Sequence, residues 1–137
     1  MSFVAIVQTA AGNTLRFNWK TVGTSTWSPE VVATSIFSAP SAAQAGNSVV
    51  IAAQGPNNSL MFYWQTVGTK PWNAEQVAGA NTTFSAPAVA VVGNSVVIAA
   101  QGPGNSLMFY WQTIGTPAGG NWYGEPRNFL VRVDGKY

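Results

Sequence analysis

Residues 47–69 and residues 94–116 are one passage written twice. They read NSVVIAAQGPNNSLMFYWQTVGT and NSVVIAAQGPGNSLMFYWQTIGT, and they differ only at Asn57/Gly104 and Val67/Ile114. A passage repeated at a spacing of 47 residues in a chain of 137 leaves few choices. Each copy must form the same local structure, and a unit this small buries its apolar face only by stacking on a neighbour. A more diverged copy, VAIVQTAAGNTLRFNWKTVGT, opens the chain at residues 4–24. It aligns with one extra loop residue, which sets Gln8 beside Gln54 and Gln101. The repeat units are then about 1–46, 47–93 and 94–137, within a single repeat domain spanning 1–137.

The anchors recur in order. Trp19, Trp64 and Trp111 hold one position of the unit, and Trp27, Trp72 and Trp122 hold another. Glu30, Glu75 and Glu125 each follow that second tryptophan by three residues. Phe37-Ser38-Ala39-Pro40 returns as Phe84-Ser85-Ala86-Pro87, and Asn128-Phe129-Leu130-Val131-Arg132-Val133 stands where a third copy should fall.

Periodicity makes the chain all-β. The second unit holds four strand-like stretches, 39–45, 48–54, 59–66 and 72–77, punctuated by Gly46-Asn47 and by Gly55-Pro56-Asn57-Asn58, which are turn signals. No window carries the i, i+3, i+4, i+7 pattern of an amphipathic helix. Val49, Ile51 and Ala53 alternate with Val50, Ala52 and Gln54, so this strand is apolar on both faces, as a strand packed on both sides must be. Small sheets repeated and packed face to face make a β-propeller. Three units of this size also match a β-trefoil, which stands as the alternative.

The succession of apolar strand, glycine turn, aromatic strand, tryptophan-bearing edge strand and Ser-Ala-Pro strand resembles the repeats of β-propeller lectins of the PLL and tectonin-like type. Residues 49–55, 59–65, 72–79 and 85–92 carry the likeness, with counterparts in the other copies. The resemblance implies propeller blades, carbohydrate binding, and a Ser-Ala-Pro strand innermost in its blade. Structural blades are then offset from the sequence units, at about 37–80 and 84–127, with 1–33 and 128–137 sharing a third. Propellers close with about 4–8 blades, so three require a partner. The expectation is a homo-oligomer, most simply a dimer closing a six-bladed ring, with residues 129–133 of one subunit pairing with residues 4–8 of the other.

Composition narrows the function. Catalysis near neutral pH draws on His, Cys or a tuned pair of carboxylates. This chain has no His and no Cys, and its acids are Glu30, Glu75, Glu125 and Asp134. Three of those four occupy one repeated position, one per unit, whereas a glycosidase needs two carboxyls within roughly 5–10 Å. The expectation is a protein that is not an enzyme, with no cofactor and no metal. The net charge is +2 from six scattered bases, which makes no phosphate-binding patch; nucleic acid is not expected as a partner. No apolar run approaches the roughly 20 residues of a membrane helix, and the first residues lack the basic and apolar regions of a signal peptide. Those features suit a cytoplasmic protein or one released by a non-classical route.

The leading reading is a multivalent carbohydrate-binding protein whose partners are glycans. The candidate ligand residues are Trp27, Trp72 and Trp122, supported by Glu30, Glu75 and Glu125. A half-exposed indole offers a flat apolar face and one N–H donor. The same tryptophans could instead staple neighbouring blades, and the glutamates could be solvated edge carboxylates beside Arg16, Lys20 or Lys70. Tyr63 and Gln65, like Tyr110 and Gln112, share a face that is either a ligand surface or an inter-blade surface. Arg16, Asn18 and Lys20 stand on that face in the first copy, and in the inter-blade case they mark the subunit junction. The alternative function is a structural scaffold, with the segment 126–137 as a docking element.

Overall fold

The computed structural model describes residues 3–69, 71–113 and, as a strand, 123–127. These residues form three antiparallel sheets in which every strand pairs with its neighbour in sequence. The first holds β1 (Phe3–Ala10), β2 (Thr14–Thr21) and β3 (Ser28–Ala33). The second holds β4 (Ser41–Ala45), β5 (Ser48–Gly55), β6 (Ser59–Thr66) and β7 (Asn73–Ala78). The third holds β8 (Ala88–Val92), β9 (Ser95–Gln101), β10 (Leu107–Thr113) and β11 (Tyr123–Arg127). The fold is all-β, built of separate small meanders stacked as propeller blades. A trefoil would pair strands across units, and among the described residues no strand pairs outside its own sheet. The first sheet has three strands: the slot held by β4 and β8 in the other two is open beside β1 among the described residues.

Turn chemistry sets the hairpins. The β5–β6 and β9–β10 connections are single 3-10 turns, Pro56–Asn58 and Pro103–Asn105. Asn57 and Asn58 have φ of 58° and 60°, and Gly104 and Asn105 have 66° and 61°. That left-handed region admits little besides Gly and Asn, which is why one of the two differences between the copies is an Asn/Gly exchange.

Register corrects the alignment of the first copy. Ala5 lies opposite Trp19 as Val50 lies opposite Trp64, and Gln8 lies opposite Arg16 as Ala53 lies opposite Met61. Both hairpins have three-residue loops, so there is no inserted residue, and Thr9, not Gln8, takes the place of Gln54. Pairing Gln8 with Gln54 shifts the strand by one residue, which in a period-two structure exchanges its faces.

Two cores lie between the sheets. Leu15, Phe17 and Ile36 meet Val49, Ile51, Ala53, Tyr63 and Val67 between the first and second sheets. Val50, Ala52, Leu60 and Phe62 meet Val96, Ile98 and Tyr110 between the second and third. Thus β5 is buried on both faces, as its unbroken apolar run requires. Burying one side chain such as Ile51 stabilises the fold by about 1.5–3 kcal/mol. The second and third sheets approach most closely at β4 and β8, where Val89 N–H donates to Ser41 Oγ at 3.0 Å, and they fan apart toward β7 and β11. Alanines at 43 and 45 permit the close approach.

Candidate functional site

The chemistry of the chain collects at the junctions between sheets. In β3, Pro29 and Val31 face solvent, so the alternation of the strand turns Glu30 inward, opposite Phe17. There it is only 8% exposed. Trp19 Nε1, from the same sheet, donates to its Oε2 at 3.0 Å. The second sheet supplies two donors to Oε1, Gln65 Nε2 at 3.0 Å and Trp72 Nε1 at 2.8 Å. The Trp72 ring also meets Phe17 edge-on, with centroids 5.0 Å apart. A buried carboxylate is tolerated when its oxygens are filled by donors of this kind. Gln65 pays for its part, because its own Oε1 is buried without a hydrogen-bond partner, at a cost of about 1–3 kcal/mol.

This placement corrects one expectation. Glu30 is neither solvated nor beside Arg16 or Lys20; its partners are two indoles and an amide. The second sheet covers an edge strand that looks exposed when β3 is considered alone. The other candidates are placed as follows. Trp72 is half-buried and tied to Glu30. Trp27 is 39% exposed, with Lys20 Nζ 5.2 Å above its ring. Glu75 lies opposite Phe62, and Glu125 opposite Phe109, in the register that sets Glu30 opposite Phe17. Trp122 and the Glu125 side chain fall outside what is described.

Tyr63 and Gln65 lie on the inter-sheet face, and Tyr110 and Gln112 are likewise buried. Burial raises both phenol pKa values above the ordinary 10.0, because the ionised form loses its hydration. The first-copy face, with Val4, Ile6, Gln8, Arg16, Asn18 and Lys20, has no sheet upon it among the described residues. Ile6 is 52% exposed where its counterpart Ile51 is 0%. Asn18 Nδ2 donates to Gln8 Oε1 at 3.0 Å across that face. At the opposite end of the stack Leu107 is 40% exposed where Leu60 is 0%.

Polar side chains organise the ends of the long strands. Ser38 Oγ accepts the Gln54 N–H at 2.9 Å, and Ser85 Oγ accepts that of Gln101 at 2.9 Å. Sequence reading left the serine of the Ser-Ala-Pro motif without a role; it caps the neighbouring strand, and its recurrence was the available signal. Gln54 Nε2 also donates to Asn58 Oδ1 at 2.8 Å and to the Thr83 carbonyl at 2.7 Å. Gln101 repeats the first bond, to Asn105 at 2.6 Å. Around it, Ser85, Gln101, Asn105 and Leu107 line an open depression of about 400 Å³. The equivalent place in the second sheet is occupied by the loop bearing Thr83.

No family model and no curated protein sequence matches the chain. Solved structures do. A lectin from Burkholderia pseudomallei, BP39L, superposes with a TM-score of 0.73 at 19% identity, over 88% of this chain and 36% of its own. This chain thus spans about a third of that lectin's length. A fucose lectin from Kordia zhangzhouensis, solved with methyl-fucoside, superposes with a TM-score of 0.65 at 13% identity, over 90% of this chain and 89% of its own. The chain shares its fold with these bacterial lectins.

Proposed function

We propose that the protein is a multivalent, non-catalytic carbohydrate-binding protein that presents shallow equivalent sites at the junctions between blades. The observation that carries the reading is a fold held in common with two lectins, over nearly the whole chain. Trp27, Trp72 and Trp122 supply apolar ring faces for the sugar, while Glu30, Glu75 and Glu125 hold those rings in place through the indole N–H. Glu30, with three donors already upon it, acts as a positioning residue and leaves the sugar to the half-exposed indole. Because the Kordia lectin was solved with methyl-fucoside, fucosides are the first ligands to try. Weak identical sites on one ring gain avidity on a glycan-coated surface, by about 10²–10⁴. The ring itself is two chains of three blades, 37–80, 84–127 and a third shared between 1–33 of one chain and 128–137 of the other. The open slot beside β1 among the described residues supports a ring completed by a second copy.

A glycan array with labelled protein, repeated with competing free sugar, tests the reading. Competable binding to one sugar class supports it; a blank array from folded protein removes it. The scaffold reading has its own observation, the engagement of Trp72 with Glu30 and Phe17. It predicts no agglutination, and assembly that depends on 126–137.

A further inference from the structure

Within the chain, the junction between the first and second sheets is built from two unlike halves. The leading half presents Leu15, Phe17, Trp19 and Glu30. The receiving half presents Val49, Ile51, Tyr63, Gln65 and Trp72. The third sheet repeats the leading-half residues in the same register, with Leu107, Phe109 and Trp111 on β10 and Glu125 opposite Phe109 on β11, and Leu107 there is 40% exposed. The first sheet carries an open receiving half, with Val4, Ile6, Asn18 and Lys20 in the register of Val49, Ile51, Tyr63 and Gln65. Trp27 immediately precedes Ser28, the partner of Trp19, as Trp72 immediately precedes Asn73, the partner of Trp64.

One residue sets this open half apart from its internal counterparts. Where Gln65 and Gln112 stand, the first sheet has Lys20. At the internal junction Gln65 Nε2 and Trp72 Nε1 converge on a single carboxylate oxygen, at 3.0 and 2.8 Å. At the open face the Lys20 ammonium sits over the Trp27 ring, 5.2 Å from its centroid. The open face thus carries a full positive charge beside its tryptophan where the internal junction has an amide. The register position of Glu30 is held in the third sheet by Glu125.

We propose that Lys20 marks the junction between chains: in the assembled ring its ammonium pairs with Glu125 of a second copy, where Gln65 bonds Glu30 inside one chain. This rests on the two-chain ring above. The occupant is a second copy because its third sheet repeats Leu15, Phe17, Trp19 and Glu30 as Leu107, Phe109, Trp111 and Glu125, in the register that this face already meets once within the chain. Lysine suits an intermolecular junction in a way glutamine does not. A cation has no acceptor oxygen to leave unpaired, whereas Gln65 Oε1 is orphaned, and opposite charges steer two diffusing chains into the right pairing. The ion pair also discriminates, since two leading halves would oppose carboxylate to carboxylate.

The test is the molar mass of purified protein by light scattering, with circular dichroism to confirm folding. Wild type is expected at twice 14.4 kDa, with a dimer dissociation constant rising about tenfold between low and high salt as the charges are screened. Lys20→Glu is expected to raise that constant roughly 100-fold, and the exchange Lys20→Glu/Glu125→Lys to recover the dimer. Lys20→Gln, which copies the internal junction, is expected to dimerise with little dependence on salt. A Lys20→Glu protein that dimerises like wild type, or a Lys20→Gln dimer as salt-sensitive as wild type, overturns the ion pair and leaves the ring. A monomeric wild type overturns the ring, and the ion pair with it.

Discussion

Glu30 in the first sheet and Trp72 in the second are joined by a 2.8 Å hydrogen bond across the boundary between sheets. The same carboxylate takes Trp19 and Gln65, so one acid fastens two sheets through three donors. Glu30→Ala leaves two indoles and an amide facing a void. It is expected to lower stability by about 3 kcal/mol, read as a shift in the urea midpoint followed by tryptophan fluorescence. Glu30→Gln keeps an acceptor oxygen and the side-chain volume, and should cost less. Equal losses for the two variants would mean that packing, not hydrogen bonding, holds the junction.

Gly55 sits where a Cβ would come within 2.6 Å of Met61 Cγ and of Ser59 Oγ. The first sheet has Ala10 at this register position, with Arg16 in place of Met61. Gly55→Ala should therefore destabilise by about 1–3 kcal/mol through overpacking, while Ala10→Gly should change little. Thermal melts of the two variants check this, and indifference to Gly55→Ala would show that Met61 moves aside freely.

The turn at Asn57 contains an internal control. Gly104 occupies the equivalent place in the third sheet, and both residues have positive φ. Asn57→Gly should leave the melting temperature within error, whereas Asn57→Val should cost about 1–2 kcal/mol, the penalty for a side chain in left-handed backbone.

Alkaline pH should loosen the fold through Tyr63 and Tyr110. Their folded-state pKa values are raised by burial, so above the unfolded value of about 10 the unfolded chain releases protons that the folded chain keeps. Stability is therefore full below pH 10 and falls as pH rises through the raised folded values. Denaturation midpoints between pH 8 and 11.5 measure this, with tyrosinate absorbance reporting ionisation. Tyr63→Phe should flatten the decline.

Much of the fold was legible because the repeat supplied three readings of each strand. The strands of the second unit fall within two residues of 39–45, 48–54, 59–66 and 72–77, since glycine and asparagine turns bound them and β5 is apolar on both faces. The role of Glu30 was not legible in the same way. A single acid among Pro29, Val31 and Val32 reads as solvent-facing, and its burial depends on Gln65 and Trp72, which lie 35 and 42 residues further along the chain. The clue was relational: glutamate, tryptophan and glutamine recur together, with lysine replacing glutamine once. Gln8 misled for a related reason. Identity of residue type outweighed hairpin geometry, and geometry decides which side of a strand a residue occupies.

The short inner strands have a consequence for curvature. Alanines at 43 and 45 pack with Val89 and Val91 where the second and third sheets come together at β4 and β8, while the larger Phe62, Trp64 and Tyr110 fill the space further out. This pair of sheets is thus a wedge, and its angle is a ratio of side-chain volumes. How many wedges complete a circle is then written in the alanines of β4, so that one larger side chain there would alter the radius of the assembly without touching a single inter-strand hydrogen bond.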